Sequence, residues 1–128
     1  MGNGTDLGRV RGLGSAHHGA HHWLLQRFTA VGNLVLGLFL VVSLVLLPGY
    51  DFATISAWAA EPLVATALAQ LVVSTFWHAR LGLQVLVEDY VHTPGNRFAV
   101  LLLLNFAAVG GAMFGLVSIV RLAFAGAA

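Results

Sequence analysis

The chain has 128 residues, of which 59% are hydrophobic and only 9% charged, against about 25% charged in an average soluble domain; with a mean hydropathy of +0.87, a water-soluble fold could not hide so much apolar surface. The net charge of +1, carried on the basic side entirely by arginine, is too small to suggest nucleic-acid binding. Cysteine is absent, which excludes disulfides, thiolate metal sites, cysteine-held iron–sulfur clusters and a cysteine nucleophile within this chain.

The apolar residues fall in three long blocks rather than in the alternation with polar residues of a soluble core element. This predicts an all-α membrane protein with three transmembrane helices at about 24–47, 62–88 and 97–121. Residues 1–22 read as a cytoplasmic N-terminal tail and residues 23–128 as a membrane anchor domain. Met1 to Ala20 is rich in Gly and polar residues and carries Arg9 and Arg11. It does not read as a signal peptide, because the first apolar block begins near residue 28 and is of full spanning length. That block, Phe28 to Leu47, is interrupted only by the polar residues Thr29, Asn33 and Ser43. Roughly 20 helical residues cross a hydrocarbon core of about 30 Å, so it fits one span, which Pro48 and Gly49 end.

The connecting segment Pro48 to Glu61 contains Asp51 and Glu61 and no basic residue, whereas Arg9, Arg11 and Arg27 precede the first span. By the positive-inside rule the N-terminus is cytoplasmic and this segment lies outside. The second span starts near Pro62, whose missing N–H is harmless in a first helical turn, and runs inward from Leu63 to Val87. Pro94, Gly95 and Asn96 form the next turn, with Arg97 beside it. The third span, Phe98 to about Val120, leads out to Arg121 and a periplasmic C-terminus. Gly111 and Gly115 form a small-xxx-small pair that lets another helix approach closely.

The stretch Trp77 to His92 concentrates the chain's chemistry, with His78, Arg80, Glu88, Asp89, Tyr90 and His92 at or just beyond the end of an apolar run. If the span begins at Leu63, His78 lies about 22 Å in, within the cytoplasmic half of the core, and Tyr90 a further 18 Å or so on, at the interface. Gly82, one turn from His78 and about 40° round the helix, leaves room beside the imidazole for a flat ligand. An intramembrane histidine with no cysteine near it suits the iron of a b-type haem. The second ligand would come from His17, His18, His21, His22, His92 or another subunit. Tyr90 can donate a hydrogen bond to a carbonyl oxygen, and an adjacent carboxylate can orient it or assist proton supply, as reduction of a membrane-borne quinone requires. The cluster His17, His18, His21, His22 contains two i, i+4 pairs of the kind that can hold Zn or Cu, although Gly19 weakens the helix and no acidic ligand is near. Arg27, at the start of the first span, can snorkel to lipid headgroups or pair with a haem propionate.

Two places in the chain resemble the small hydrophobic membrane anchor subunit of succinate dehydrogenase, respiratory complex II. One is His78-Ala79-x-x-Gly82 followed by Glu88-Asp89-Tyr90-Val91-His92; the other is Gly19-x-His21 followed by Arg27-x-Thr29-Ala30. The resemblance implies one half of a larger helical bundle shared with a second, larger anchor subunit, cytochrome b556. In that bundle His78 would be one axial ligand of haem b, with the other ligand supplied by the partner. It further implies that Tyr90 and Asp89 bind ubiquinone, that His21 and Arg27 lie near the haem propionates, and that an iron–sulfur subunit and a flavoprotein carrying FAD dock on the cytoplasmic face of a bacterial inner membrane. The enzyme implied is the whole succinate:quinone oxidoreductase; this chain alone would not oxidise succinate. Arg80, Glu88 and the duplicated histidines are not required by the motif. Two other readings of the same residues are a haem-free structural anchor or assembly partner, and a small transporter component in which His78, Arg80 and Glu88 line a proton path.

Overall fold

The computed structural model describes residues 5–6 and 19–126, so the expectations placed on His17 and His18 lie outside the described residues. Among residues 19–126 four helices follow in order: α1 (Gly19–Val45), α2 (Phe52–Ala60), α3 (Pro62–Tyr90) and α4 (Pro94–Gly126). Three of them, α1, α3 and α4, are long and apolar enough to cross a membrane. At 27, 29 and 33 residues and about 1.5 Å per residue they measure roughly 40 to 50 Å, more than the hydrocarbon core of about 30 Å. Their ends therefore reach the headgroup layer or the water beyond it, which is where His21 and Tyr90 fall.

The first helix begins at Gly19, earlier than the apolar pattern indicates, because the turn containing His21 and His22 is polar but still helical. The segment after Pro48 also differs from a plain loop. Asp51 accepts hydrogen bonds from the Thr54 hydroxyl at 2.7 Å and the Thr54 backbone N–H at 3.2 Å, capping the nine-residue α2. The Thr54 hydroxyl and then the Thr54 N–H hold the Asp51 carboxyl below its ordinary 3.8. Since folding depresses this pKa, the cap is fully formed above the ordinary carboxylate range and is lost as pH falls through the lowered value. Asp51→Ala is accordingly expected to speed amide exchange at Thr54 at neutral pH, and acidification of the unsubstituted chain below about 3.8 to begin the same change; a Thr54 amide insensitive to both would refute the cap.

The third helix is the middle element. Helix α1 packs along one side of it and α4 along the other, with no direct α1–α4 packing among the described residues, while α2 lies against both α3 and α4. Leu40 of α1 with Val64 and Ala67 of α3 forms a small core, covered by Leu36, Trp58, Leu68 and Leu71. The Trp58 indole N–H donates to Ser43 Oγ at 3.3 Å, which fastens α2 to the end of α1. At the start of α3, Pro62 occupies the first helical positions, where its missing N–H has no partner to lose.

Between α3 and α4 the small residues decide the distance. A Cβ at Gly115 would stand 2.7 Å from Val72 Cγ1, and one at Gly111 would collide with the Phe76 ring. The helix that the Gly111/Gly115 pair admits is thus α3 of the same chain. Outside these contacts large apolar side chains such as Phe28, Leu34, Phe106, Phe114 and Phe124 stay exposed. Helices apolar all round belong in lipid or against further membrane helices.

Candidate functional site

The only buried polar side chains of the described residues are Thr29 and Ser56, and Thr29 meets the candidate ligand. Its hydroxyl oxygen lies 2.9 Å from His78 Nδ1, and 2.8 and 3.1 Å from the Leu25 and Gln26 carbonyl oxygens of its own helix. On the other ring nitrogen, Gln26 Nε2 approaches His78 Nε2 at 3.4 Å. Ser74 Oγ donates to the Thr29 carbonyl at 3.4 Å, and Gly32 faces that serine with room for only ordinary contact. Small and polar residues thus let α1 and α3 close on each other at the level of His78, where bulky side chains would hold them apart.

The space beside Gly82 is taken. A Cβ there would touch Gln26 Nε2 at 3.4 Å, so the Gln26 amide fills the room that the glycine leaves next to His78. The unbranched Gln26 side chain can rotate away, and its Oε1 has no hydrogen-bond partner to surrender. His22 Nε2 and Asn33 Oδ1 are likewise buried without a partner. His22, Gln26, Thr29 and Asn33 stand at i, i+4, i+7 and i+11, one stripe of α1 about 60° wide. Unpaired polar groups in a bilayer cost several kcal/mol each, so the three unpartnered atoms mark this stripe as an incompletely satisfied face of α1.

A donor set of one imidazole whose second ring nitrogen meets only a displaceable amide, with a glycine beside it and unpaired polar atoms along the same seam, suits one side of a porphyrin. Facing His78 Nε2 within the chain is an amide rather than a second histidine. No group of three or more His, Asp or Glu able to hold a metal ion occurs among the described residues, which leaves the i, i+4 pairs that include His17 and His18 unaddressed, since those two are not described.

The other sequence-derived residues divide by location. Arg27 is exposed and stacks over the Trp23 ring at 4.4 Å, at the same end of α1 as the exposed His21. Asp89 and Tyr90 end α3, both exposed, Tyr90 at 76%. They lie about 18 Å along the helix from His78, so His78 and the Asp89–Tyr90 pair form two separate sites. Glu88 accepts from Gln84 Nε2 at 2.8 Å at that exposed end. Arg80, two residues and about 200° round from His78, turns to the opposite side of α3. There its Nε donates to Asn105 Oδ1 of α4, its guanidinium lies over Trp77, and Asn105 Nδ2 donates to the Leu101 carbonyl. His78 and Arg80 therefore do not line one path.

Thr29, Gln26 and Asn105 carry roles the sequence reading passed over. Thr29 stands in the sequence as an interruption of an apolar block and as part of Arg27-x-Thr29-Ala30, with no role attached to it, and Asn33 only as an interruption. Their spacing with His22 and Gln26 was the available signal, since four polar residues on one face of a spanning helix mark a seam.

Fold and site together define a small multi-pass membrane protein with a histidine held between two of its spanning helices and an incomplete polar seam. The family described as succinate dehydrogenase/fumarate reductase transmembrane subunit matches residues 1–112, and the chain belongs to it. Among curated relatives, a succinate dehydrogenase hydrophobic membrane anchor subunit of Rickettsia bellii is 33% identical over 87 residues, 68% of this chain and 70% of the relative. One from Rickettsia felis is 32% identical over 102 residues, covering 75% and 85%. A succinate dehydrogenase membrane anchor subunit of Reclinomonas americana is 28% identical over 71% of this chain and 78% of its own length. No solved structure matches the chain.

Proposed function

We propose that this chain is the small membrane anchor of a succinate:quinone oxidoreductase in a bacterial cytoplasmic membrane, supplying one axial ligand of haem b and part of a ubiquinone-reducing site. Its N-terminus is then cytoplasmic and its C-terminus periplasmic, as the distribution of Arg9, Arg11, Arg27 and Arg97 against Asp51 and Glu61 favours. The observation that carries the reading is the His78 imidazole, fixed by Thr29 within the span with its second nitrogen opposite only a displaceable amide. The family and its named relatives support the anchor role.

Haem b, when bound, supplies a one-electron redox centre. The residues of this chain do the rest of the local work. His78 Nε2 would hold the haem iron, and the larger anchor subunit, cytochrome b556, would supply the other ligand. His21 and Arg27, both at the cytoplasmic end of α1, offer charge and hydrogen bonds to the propionates. At the cytoplasmic end of α3 the Tyr90 hydroxyl donates a hydrogen bond to a quinone carbonyl oxygen, and Asp89 beside it orients the phenol and relays protons from water. Quinone reduction takes two electrons, delivered through the iron–sulfur subunit from succinate oxidised at the FAD of the flavoprotein, and two protons from the aqueous side. Both of those subunits dock on the cytoplasmic face, where the ends of α1 and α3 project beyond the hydrocarbon.

The test is purification of the membrane complex with this chain tagged. The expected result is copurification of three further subunits and a b-type band in the reduced-minus-oxidised spectrum; a complex without that band would leave only the haem-free anchor. Tyr90→Phe removes one hydrogen bond of about 0.5–1.5 kcal/mol and is expected to slow quinone reduction roughly twofold to tenfold, with the haem band intact. Unaltered turnover and quinone affinity in that variant would exclude the role given to Tyr90.

A further inference from the structure

We propose that Thr29 is a positioning residue for the haem ligand, its hydroxyl oxygen accepting the Nδ1–H of His78 and so fixing the tautomer that leaves Nε2 free for iron. The inference rests on the haem reading above. It follows from counting protons. The threonine hydroxyl has one proton, and two helix carbonyl oxygens, Leu25 at 2.8 Å and Gln26 at 3.1 Å, lie in position to receive it. What the oxygen presents to His78 Nδ1 at 2.9 Å is then a lone pair. A neutral imidazole carries a single N–H; placed on Nδ1 by this acceptor, it leaves a lone pair on Nε2. The Gln26 amide nitrogen, facing Nε2 at 3.4 Å, is a donor and matches that lone pair.

Thr29 is only 8% exposed, so water has little access with which to replace it. Ser74 and Gly32 hold the backbones close at this level. A hydrogen bond from the non-ligating nitrogen fixes the ring's orientation and makes the ligating nitrogen more basic, which favours the ferric state and lowers the reduction potential. Gln26 fills the ligand position before the metal does, and its unpaired Oε1 makes its departure inexpensive.

Thr29→Val keeps the shape and removes the acceptor; Thr29→Ser keeps the acceptor and removes a methyl. In the intact membrane complex, both variants and His78→Ala are to be compared by haem-to-protein ratio, reduced-minus-oxidised spectrum and midpoint potential. The expected result for Thr29→Val is haem held roughly 10–100-fold less tightly and a potential shifted upward, with Thr29→Ser close to the unsubstituted protein. Should Thr29→Val fail to assemble, Thr29→Ser decides, because a shifted potential despite the retained hydroxyl would overturn the proposal. An unchanged potential and haem content in Thr29→Val, with haem lost in His78→Ala, would refute the role of Thr29 and leave the ligation standing. Haem unaffected in His78→Ala would instead remove the ligation reading, and this inference with it.

Discussion

His78→Ala is expected to abolish or alter the b-type spectrum of the membrane complex while leaving the complex assembled. The physical reason for separating the two effects lies in Thr29. When the imidazole is removed, the threonine hydroxyl keeps its bonds to the Leu25 and Gln26 carbonyls, so of the groups on α1 only the Gln26 amide nitrogen, which faces His78 Nε2 at 3.4 Å, loses a partner. What is lost is two interhelical contacts, to Thr29 and to Gln26, each worth about 0.6 kcal/mol on average in a membrane protein, and what is created is a cavity that Gln26 can partly fill. The packing of Leu40, Val64 and Ala67 lies toward the other end of the helices and is untouched. A complex that assembles with normal subunit ratios and an unchanged haem spectrum would show that His78 is an ordinary interhelical histidine.

Gly115→Leu is expected to cause the largest loss of stability of any single change considered for this chain. The Cβ alone would sit 2.7 Å from Val72 Cγ1, and valine in a helix is confined to one dominant rotamer, so the obstacle cannot swing aside. The helices must separate, at a cost of about 1–3 kcal/mol or more, which also pulls Asn105 from Arg80 and leaves a charged group in the hydrocarbon without its neutral partner. Gly111→Leu should be milder, because the obstacle there is the outer part of the Phe76 ring, which can rotate. Gly110, which has nothing within 4 Å of its Cβ position, is the control. The yield of assembled complex should fall most for Gly115→Leu and least for Gly110→Leu; equal losses across the three would mean that general crowding, and not the α3–α4 contact, limits packing.

The two predictions depend on the same central helix in different ways. Helix α3 places His78 toward α1 and Val72, Phe76 and Arg80 toward α4, so its one side holds polar chemistry and its other side sets the helix spacing. A substitution on one side can therefore be read without large interference from the other, since independent sites more than about 7–10 Å apart contribute additively.

The sequence by itself determined the three spans, because in a bilayer every backbone polar group must be satisfied within the segment and an apolar run of some 20 residues leaves helix as the only way to do that. It also singled out His78, Asp89 and Tyr90, because ionisable or polar residues at calculable depths in so apolar a chain are few. It could not supply the partner of His78. Thr29 stands 49 positions away, and hydropathy records a threonine in an apolar block as noise, since pairing across helices depends on rotation and register that no single helix encodes. The Arg80–Asn105 bond and the closure of Gly115 on Val72 have the same origin. Each exists only once α1 and α4 are set against α3, and it is that packing which turns a lone histidine of an apolar helix into a ring held at Nδ1 by Thr29 and met at Nε2 only by the Gln26 amide.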